Sequence, residues 1–338
     1  MKKILAMLLA VMMLLSVASV AMAEGDTDTP TTSISVPTIK FKKLYNLTNE
    51  GTFSPAETFT FTLVCTGVTD AASGIDATDA PTLTATDATF ARGDAGSATN
   101  SKEITLTANK AFPSVGKYTY KMTETAGDTA GVTYTTSELE LVIMAVNGTT
   151  DGEIVIGSAV LATKTADGES KEDSFANTYT AAALTVKKQV TGLLGDKNKK
   201  FHFTIDFTVP TGKTWTPDIT GQGFTVATTT TEGATISYTF ELANDESVTF
   251  GNLPEGVTYK VTETTVDDYE TFVGTTDNKT NVATGSMEKT NVDVTYINNK
   301  GGELNMGVML DSMPYVLVLA VVGAAVIALI AKKRRAED

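Results

Sequence analysis

The feature that most constrains this chain is an internal repeat of alternating blocks. Ile39-Lys40-Phe41-Lys42-Lys43-Leu44-Tyr45 is answered by Leu184-Thr185-Val186-Lys187-Lys188-Gln189-Val190, and Glu57-Thr58-Phe59-Thr60-Phe61-Thr62-Leu63 by Lys200-Phe201-His202-Phe203-Thr204-Ile205. Further on, Gly116-Lys117-Tyr118-Thr119-Tyr120-Lys121-Met122-Thr123-Glu124 is answered by Gly256-Val257-Thr258-Tyr259-Lys260-Val261-Thr262-Glu263. Finally, Phe175-Ala176-Asn177-Thr178-Tyr179 is answered by Tyr296-Ile297-Asn298-Asn299-Lys300. The blocks recur in the same order, so one folding unit is used twice. Each block alternates apolar and polar residues with period two, the pattern of a strand with one buried face.

Strands at this spacing, with Gly, Asn and Asp clusters between them, predict an all-β chain of two tandem immunoglobulin-like β-sandwich domains, at 33–180 and 181–300. The stretch 70–100 is poor in large apolar residues and reads as a surface excursion of the first domain. With 26 basic against 40 acidic residues the net charge is −14. That balance argues against a nucleic-acid partner, which needs a basic surface. One histidine, His202, and one cysteine, Cys65, are too few for a zinc site or an internal disulfide, so no metal or cofactor is expected. Cys65 reads as a small buried strand residue and Asp267-Asp268 as a charged turn, which leaves no group of residues suited to an enzyme active site.

The ends predict an exported protein. Met1-Lys2-Lys3, an apolar run and Ala21-Met22-Ala23 make residues 1–23 a signal peptide, followed by a linker at 24–32. Residues 316–331 are apolar and precede Lys332-Lys333-Arg334-Arg335, as in a C-terminal transmembrane helix with a basic cytoplasmic tail at 332–338. Residues 301–315 link the second domain to that helix. The expected location is the cell surface, with the C-terminal helix as the membrane anchor.

Strand parity brings polar residues onto the apolar faces. Lys43 shares a face with Ile39, Phe41 and Tyr45, and Lys188 with Leu184, Val186 and Val190. Glu124 shares one with Tyr120 and Met122, and Glu263 with Tyr259 and Val261. Asn177 lies on the face of Phe175, and Asn298 on that of Tyr296. Each domain thus aims a Lys, a Glu and an Asn at its own core. A lone buried charge is costly and tends to neutralise. Two arrangements satisfy such a placement. One is a buried Lys–Glu ion pair capped by Asn. The other is attack of a neutral lysine amine on the asparagine carboxamide, assisted by the Glu, to give a Lys–Asn isopeptide bond with loss of ammonia.

These residues are where a family likeness enters. The first domain resembles the isopeptide-linkage domain of Gram-positive major pilins, through Lys43, the Glu57–Phe61 block, Tyr120-x-x-x-Glu124 and Phe175-x-Asn177-x-Tyr179. The second resembles the collagen-binding-protein B-type domain, through Lys188, Tyr259-x-x-x-Glu263 and Asn298. The resemblance implies Lys43–Asn177 and Lys188–Asn298 bonds between the first and last strands of each domain, with Glu124 and Glu263 assisting. Lys42, Lys187 and Asn299 are the register alternatives that parity disfavours. It also implies a structural surface or pilin-like role with other pilin subunits and a sortase as partners, or, as the alternative, an adhesin that holds a host or matrix ligand. Pilins of this type carry an L-P-x-T-G-like sortase signal before the membrane segment. Here the equivalent stretch is Glu303-Leu304-Asn305-Met306-Gly307, in which only the glycine fits.

Overall fold

The computed structural model describes residues 39–301, except 166–167, 172–173 and 230–234. The signal peptide, the sorting-like stretch and the C-terminal anchor expected from the sequence lie outside the described residues. Among the described residues every regular element is a strand, and no helix is long and apolar enough to cross a membrane.

The first half supplies β1 (Ile39–Leu47), β2 (Glu57–Phe59), β3 (Phe61–Thr69), β4 (Leu83–Ala85), β5 (Ala88–Phe90) and β6 (Ser101–Ala108). It continues with β7 (Gly116–Glu124), β8 (Val132–Thr133), β9 (Glu138–Asn147), β10 (Ile154–Thr165), β11 (Gly168–Lys171) and β12 (Ser174–Tyr179). They form two five-stranded sheets, β4-β6-β1-β12-β8 and β11-β10-β9-β7-β3, and a small β2-β5 ribbon. The second half supplies β13 (Ala181–Thr191), β14 (Phe201–Thr208), β15 (Phe224–Thr229), β16 (Thr235–Leu242) and β17 (Ser247–Pro254). Its remaining strands are β18 (Thr258–Glu263), β19 (Glu270–Val273), β20 (Val282–Ser286) and β21 (Val292–Asn299). These make a four-stranded sheet, β17-β13-β21-β19, and a five-stranded one, β15-β16-β14-β18-β20.

Both halves use the same central device. The first and last strands lie side by side and run parallel: β1 beside β12 and β13 beside β21, while the other named pairs are antiparallel. A parallel neighbour needs a long connection; here that connection is the rest of the domain. The alternating faces meet in two apolar cores. In the first, Tyr45, Phe59 and Phe90 pack edge to face with centroids 5.2–5.7 Å apart. In the second, Phe203 stacks on Phe240 at 5.0 Å and Phe224 on Phe250 at 4.5 Å.

The stretch 70–100 departs from its expected role as a surface excursion. It contributes β4 and β5 and buries Leu83, Ala88, Phe90 and Ala95. Its few apolar residues are spent at the core, and the Asp, Thr and Gly between them form the turns, so average composition conceals a packed cap. Cys65, expected to be buried, is half-buried on β3.

Candidate functional site: a lysine, glutamate and asparagine inside each sandwich

Strand alternation carries all six residues inward. Lys43, Asn177, Glu263 and Asn298 are 0% exposed, Lys188 is 1% and Glu124 is 9%. Lys43 and Asn177 come from neighbouring parallel strands, with Lys43 opposite Phe175 and Asn177 opposite Tyr45. The second sandwich repeats this offset, with Lys188 opposite Tyr296 and Asn298 opposite Val190. In both, the lysine and asparagine are one two-residue step apart along a shared face. The glutamate arrives from the facing sheet, on β7 or β18. The site is therefore a bridge across the core. The disfavoured alternatives point elsewhere: Lys42 is exposed, Lys187 is exposed and pairs with Asp293 at 2.9 Å, and Asn299 is half-buried beside Thr191.

One carboxylate holds both partners. Glu124 Oε2 lies 2.5 Å from Lys43 Nζ, and its Oε1 accepts a hydrogen bond from Asn177 Nδ2. Glu263 Oε2 accepts from Lys188 Nζ at 3.0 Å, and its Oε1 from Asn298 Nδ2. Aromatic rings floor the ammonium groups: Lys43 Nζ is 4.3 Å from the Phe59 centroid and Lys188 Nζ 4.5 Å from that of Phe201. Burial lowers both lysine pKa values to about 8, against the opposing pull of the paired glutamates. Burial also pushes Glu263 above the usual carboxylate range, with Lys188 and Asn298 pulling the other way. In the second site both effects favour the uncharged pair, in which the amine is a nucleophile and the acid a proton donor.

Two parts of the site escaped sequence reasoning. The phenylalanine floors recur as Phe-x-Phe in both repeats, Phe59-Thr60-Phe61 and Phe201-His202-Phe203, so the repeat itself held that signal. The backbone N–H of Thr135, which donates to Asn177 Oδ1 at 2.8 Å, has no side-chain signature.

Known proteins resemble both halves. Residues 39–180 match the family model of the Spy0128-like isopeptide containing domain, and residues 182–300 match that of a domain of unknown function, DUF7601. A pilin of Streptococcus pyogenes serotype M1 is 29% identical over 233 residues, covering 63% of this chain and 67% of that protein. The pilus tip adhesin Cpa of Streptococcus pyogenes is 33% identical over 120 residues, covering 35% of this chain but 16% of the adhesin. Among solved structures, the major pilin from Streptococcus pyogenes has a TM-score of 0.52 at 23% identity, covering 80% of this chain and 100% of that one. The major pilin T3.2 from serotype GAS13637 of the same species has a TM-score of 0.53 at 21% identity, covering 77% and 97%. At those identities the structural likeness establishes the sandwich fold. Residues 39–180 thus carry a Spy0128-like isopeptide containing domain, and the chain is similar to a streptococcal pilin over 63% of its length.

Proposed function

We propose that this chain is a structural cell-surface subunit, pilin-like in role, whose two sandwiches are each locked by an autocatalytic isopeptide bond, Lys43–Asn177 and Lys188–Asn298. The observation that carries the reading is a single buried carboxylate touching both the lysine nitrogen and the asparagine amide, in both sandwiches.

The chemistry balances on the residues present. The glutamate takes one proton from the lysine ammonium, and the freed Nζ lone pair adds to the asparagine Cγ. The tetrahedral adduct expels Nδ2, which leaves as ammonia after gaining one proton relayed through the carboxyl group. Of the three ammonium protons, one stays on the new amide, one departs with ammonia and one rests on the glutamate. No oxidant, metal or cofactor is required. The surrounding core excludes water, so neither the amine nor the acid is levelled by solvent.

The surface placement rests on the sequence: a signal peptide at 1–23, an anchor at 316–331 and a basic tail. Other pilin subunits, and a sortase tolerant of Leu304-Asn305-Met306-Gly307, are the partners this reading implies. The adhesin alternative draws on the tip-adhesin likeness, which reaches 16% of that protein. The test is the intact mass of the secreted region. Each bond should lower it by about 17 Da, the mass of one ammonia, and Glu124→Ala and Glu263→Ala should each restore one such loss. An unshifted mass in the unmutated protein rejects the proposal.

A further inference from the structure

The two sites differ at the asparagine oxygen. In the first sandwich Asn177 Oδ1 accepts the Thr135 backbone N–H at 2.8 Å while Nδ2 faces Glu124. In the second, Asn298 Nδ2 faces Glu263 in the same way, but Asn298 Oδ1 is buried with no hydrogen-bond partner among the described residues. The cause lies in the strand beside each asparagine. In the first sandwich, β8 pairs with β12 only through Thr133–Thr178 and Val132–Tyr179. The chain then leaves the ladder, and the N–H of Thr135 turns to the side chain. In the second sandwich β19 runs in register alongside β21, with Thr271 opposite Asn298, and no backbone N–H of the described residues turns to the Asn298 oxygen.

Resting on the isopeptide reading above, we infer that the Thr135 N–H is a catalytic donor of the first site, with no counterpart in the second. It does two things. It fixes which end of the Asn177 amide meets the carboxylate, because a flipped amide would set N–H against N–H. It also sits at the oxygen that becomes negative when Nζ adds to Cγ and the carbonyl electron pair moves onto Oδ1. A preorganised backbone donor at that position stabilises the adduct more than the starting amide. In the second site, polarisation of the carbonyl falls to Glu263 alone, after an amide rotation that must first break the Asn298 Nδ2–Glu263 hydrogen bond. The Lys43–Asn177 bond therefore forms faster than Lys188–Asn298.

The experiment follows each bond separately in the full chain, made by cell-free synthesis in detergent, quenched in acid denaturant at set times and digested. Mass spectrometry then counts the two cross-linked peptides. One variant carries the α-hydroxy acid of threonine at position 135, so that an ester oxygen replaces the N–H. It should slow the first bond by roughly tenfold or more and leave the second unchanged, and Thr135→Ala, which keeps the N–H, should react at the unmutated rate. A first bond within about twofold of normal in the ester chain overturns the inference while leaving the isopeptide reading intact. Absence of the first cross-link from the unmodified chain overturns both. Should the ester chain misfold, Lys43→Met, which keeps Asn177 unreacted, supplies the second measurement. There the Thr135 amide should resist hydrogen exchange and lose that protection on adding Asn177→Leu. Fast exchange in Lys43→Met alone rejects the hydrogen bond and the inference with it.

Discussion

At the residue scale, each site buries an ion pair that is expensive to leave half-made, and the proposed bond would remove that cost. Lys43 and Glu124 have side chains fully withdrawn from solvent, as do Lys188 and Glu263. Removing one partner strands the other, which typically costs 3–5 kcal/mol, whereas removing both charges is often neutral. Glu124→Ala should therefore melt below the double variant Lys43→Met/Glu124→Gln, although neither can form the bond. Calorimetry of the two decides; equal melting points would mean that the stranded lysine carries no penalty. A pH effect follows from the lysine shift. In unlinked Asn298→Ala, Lys188 titrates near 8 when folded, because of burial, and near 10.5 when unfolded. Between those values the unfolded chain holds a proton that the folded chain lacks, so stability should rise as pH rises from 8 to 10.5. The buried tyrosines, among them Tyr296, have raised pKa values and act oppositely at the alkaline end. The measurement is thus the difference in urea midpoint between Asn298→Ala and Asn298→Ala/Lys188→Met. A difference that stays flat across the window rejects the shift.

At the element scale, the strands that hold the buried lysine and asparagine of the first sandwich pack on a cap that composition concealed. Phe90 on β5 is fully buried, and its ring meets those of Tyr45 and Phe59, the latter being the floor under Lys43. Phe90→Ala should cost about 3–5 kcal/mol, the usual range for a buried aromatic. Urea unfolding in a Lys43→Met background shows this without masking by the covalent link; a loss below about 1 kcal/mol would place the cap outside the cooperative core. The inward positions of Lys43, Glu124, Asn177 and their counterparts were legible because strand alternation has a period of two, and a charged residue in phase with its apolar neighbours is visible by eye. The parallel pairing of β1 with β12, and the arrival of Glu124 from the opposite sheet, were not, because alternation gives a residue's face but not its neighbour across the core. The Thr135 N–H was invisible for a stronger reason: every residue other than proline has one, and only the path of the chain aims it.

At the scale of the whole molecule, polar contacts join the two sandwiches, among them an Arg92–Asp218 ion pair. Asn252, buried and in the left-handed region at φ 60°, accepts the Phe53 N–H at 2.8 Å and donates to the Asp218 carbonyl at 3.1 Å. Asn49 Nδ2 donates to the carbonyls of Ala181 and Lys289 at 2.8 and 2.7 Å. The junction between Tyr179 and Ala181 is one residue long, so tension leaving β12 enters β13 directly. Pulled at its ends, each sandwich loads its first and last strands in opposite directions. Because those strands run parallel, the pull shears their ladder lengthwise rather than opening it pair by pair. With the proposed bonds in place, force entering at Ile39 crosses at Lys43–Asn177 and again at Lys188–Asn298, and the strands between carry none of it. Those bonds also close loops of over 100 residues, which by the chain-entropy argument used for disulfides contributes roughly 4–5 kcal/mol each. Single-molecule pulling should show almost no extension of the unmutated protein before the tether detaches. Glu124→Ala should release the first loop, on the order of 400 Å at ~3.3–3.6 Å per residue, and Glu263→Ala a somewhat shorter one. Equal extension with and without the glutamates would reject the mechanical role even where the mass shift is found.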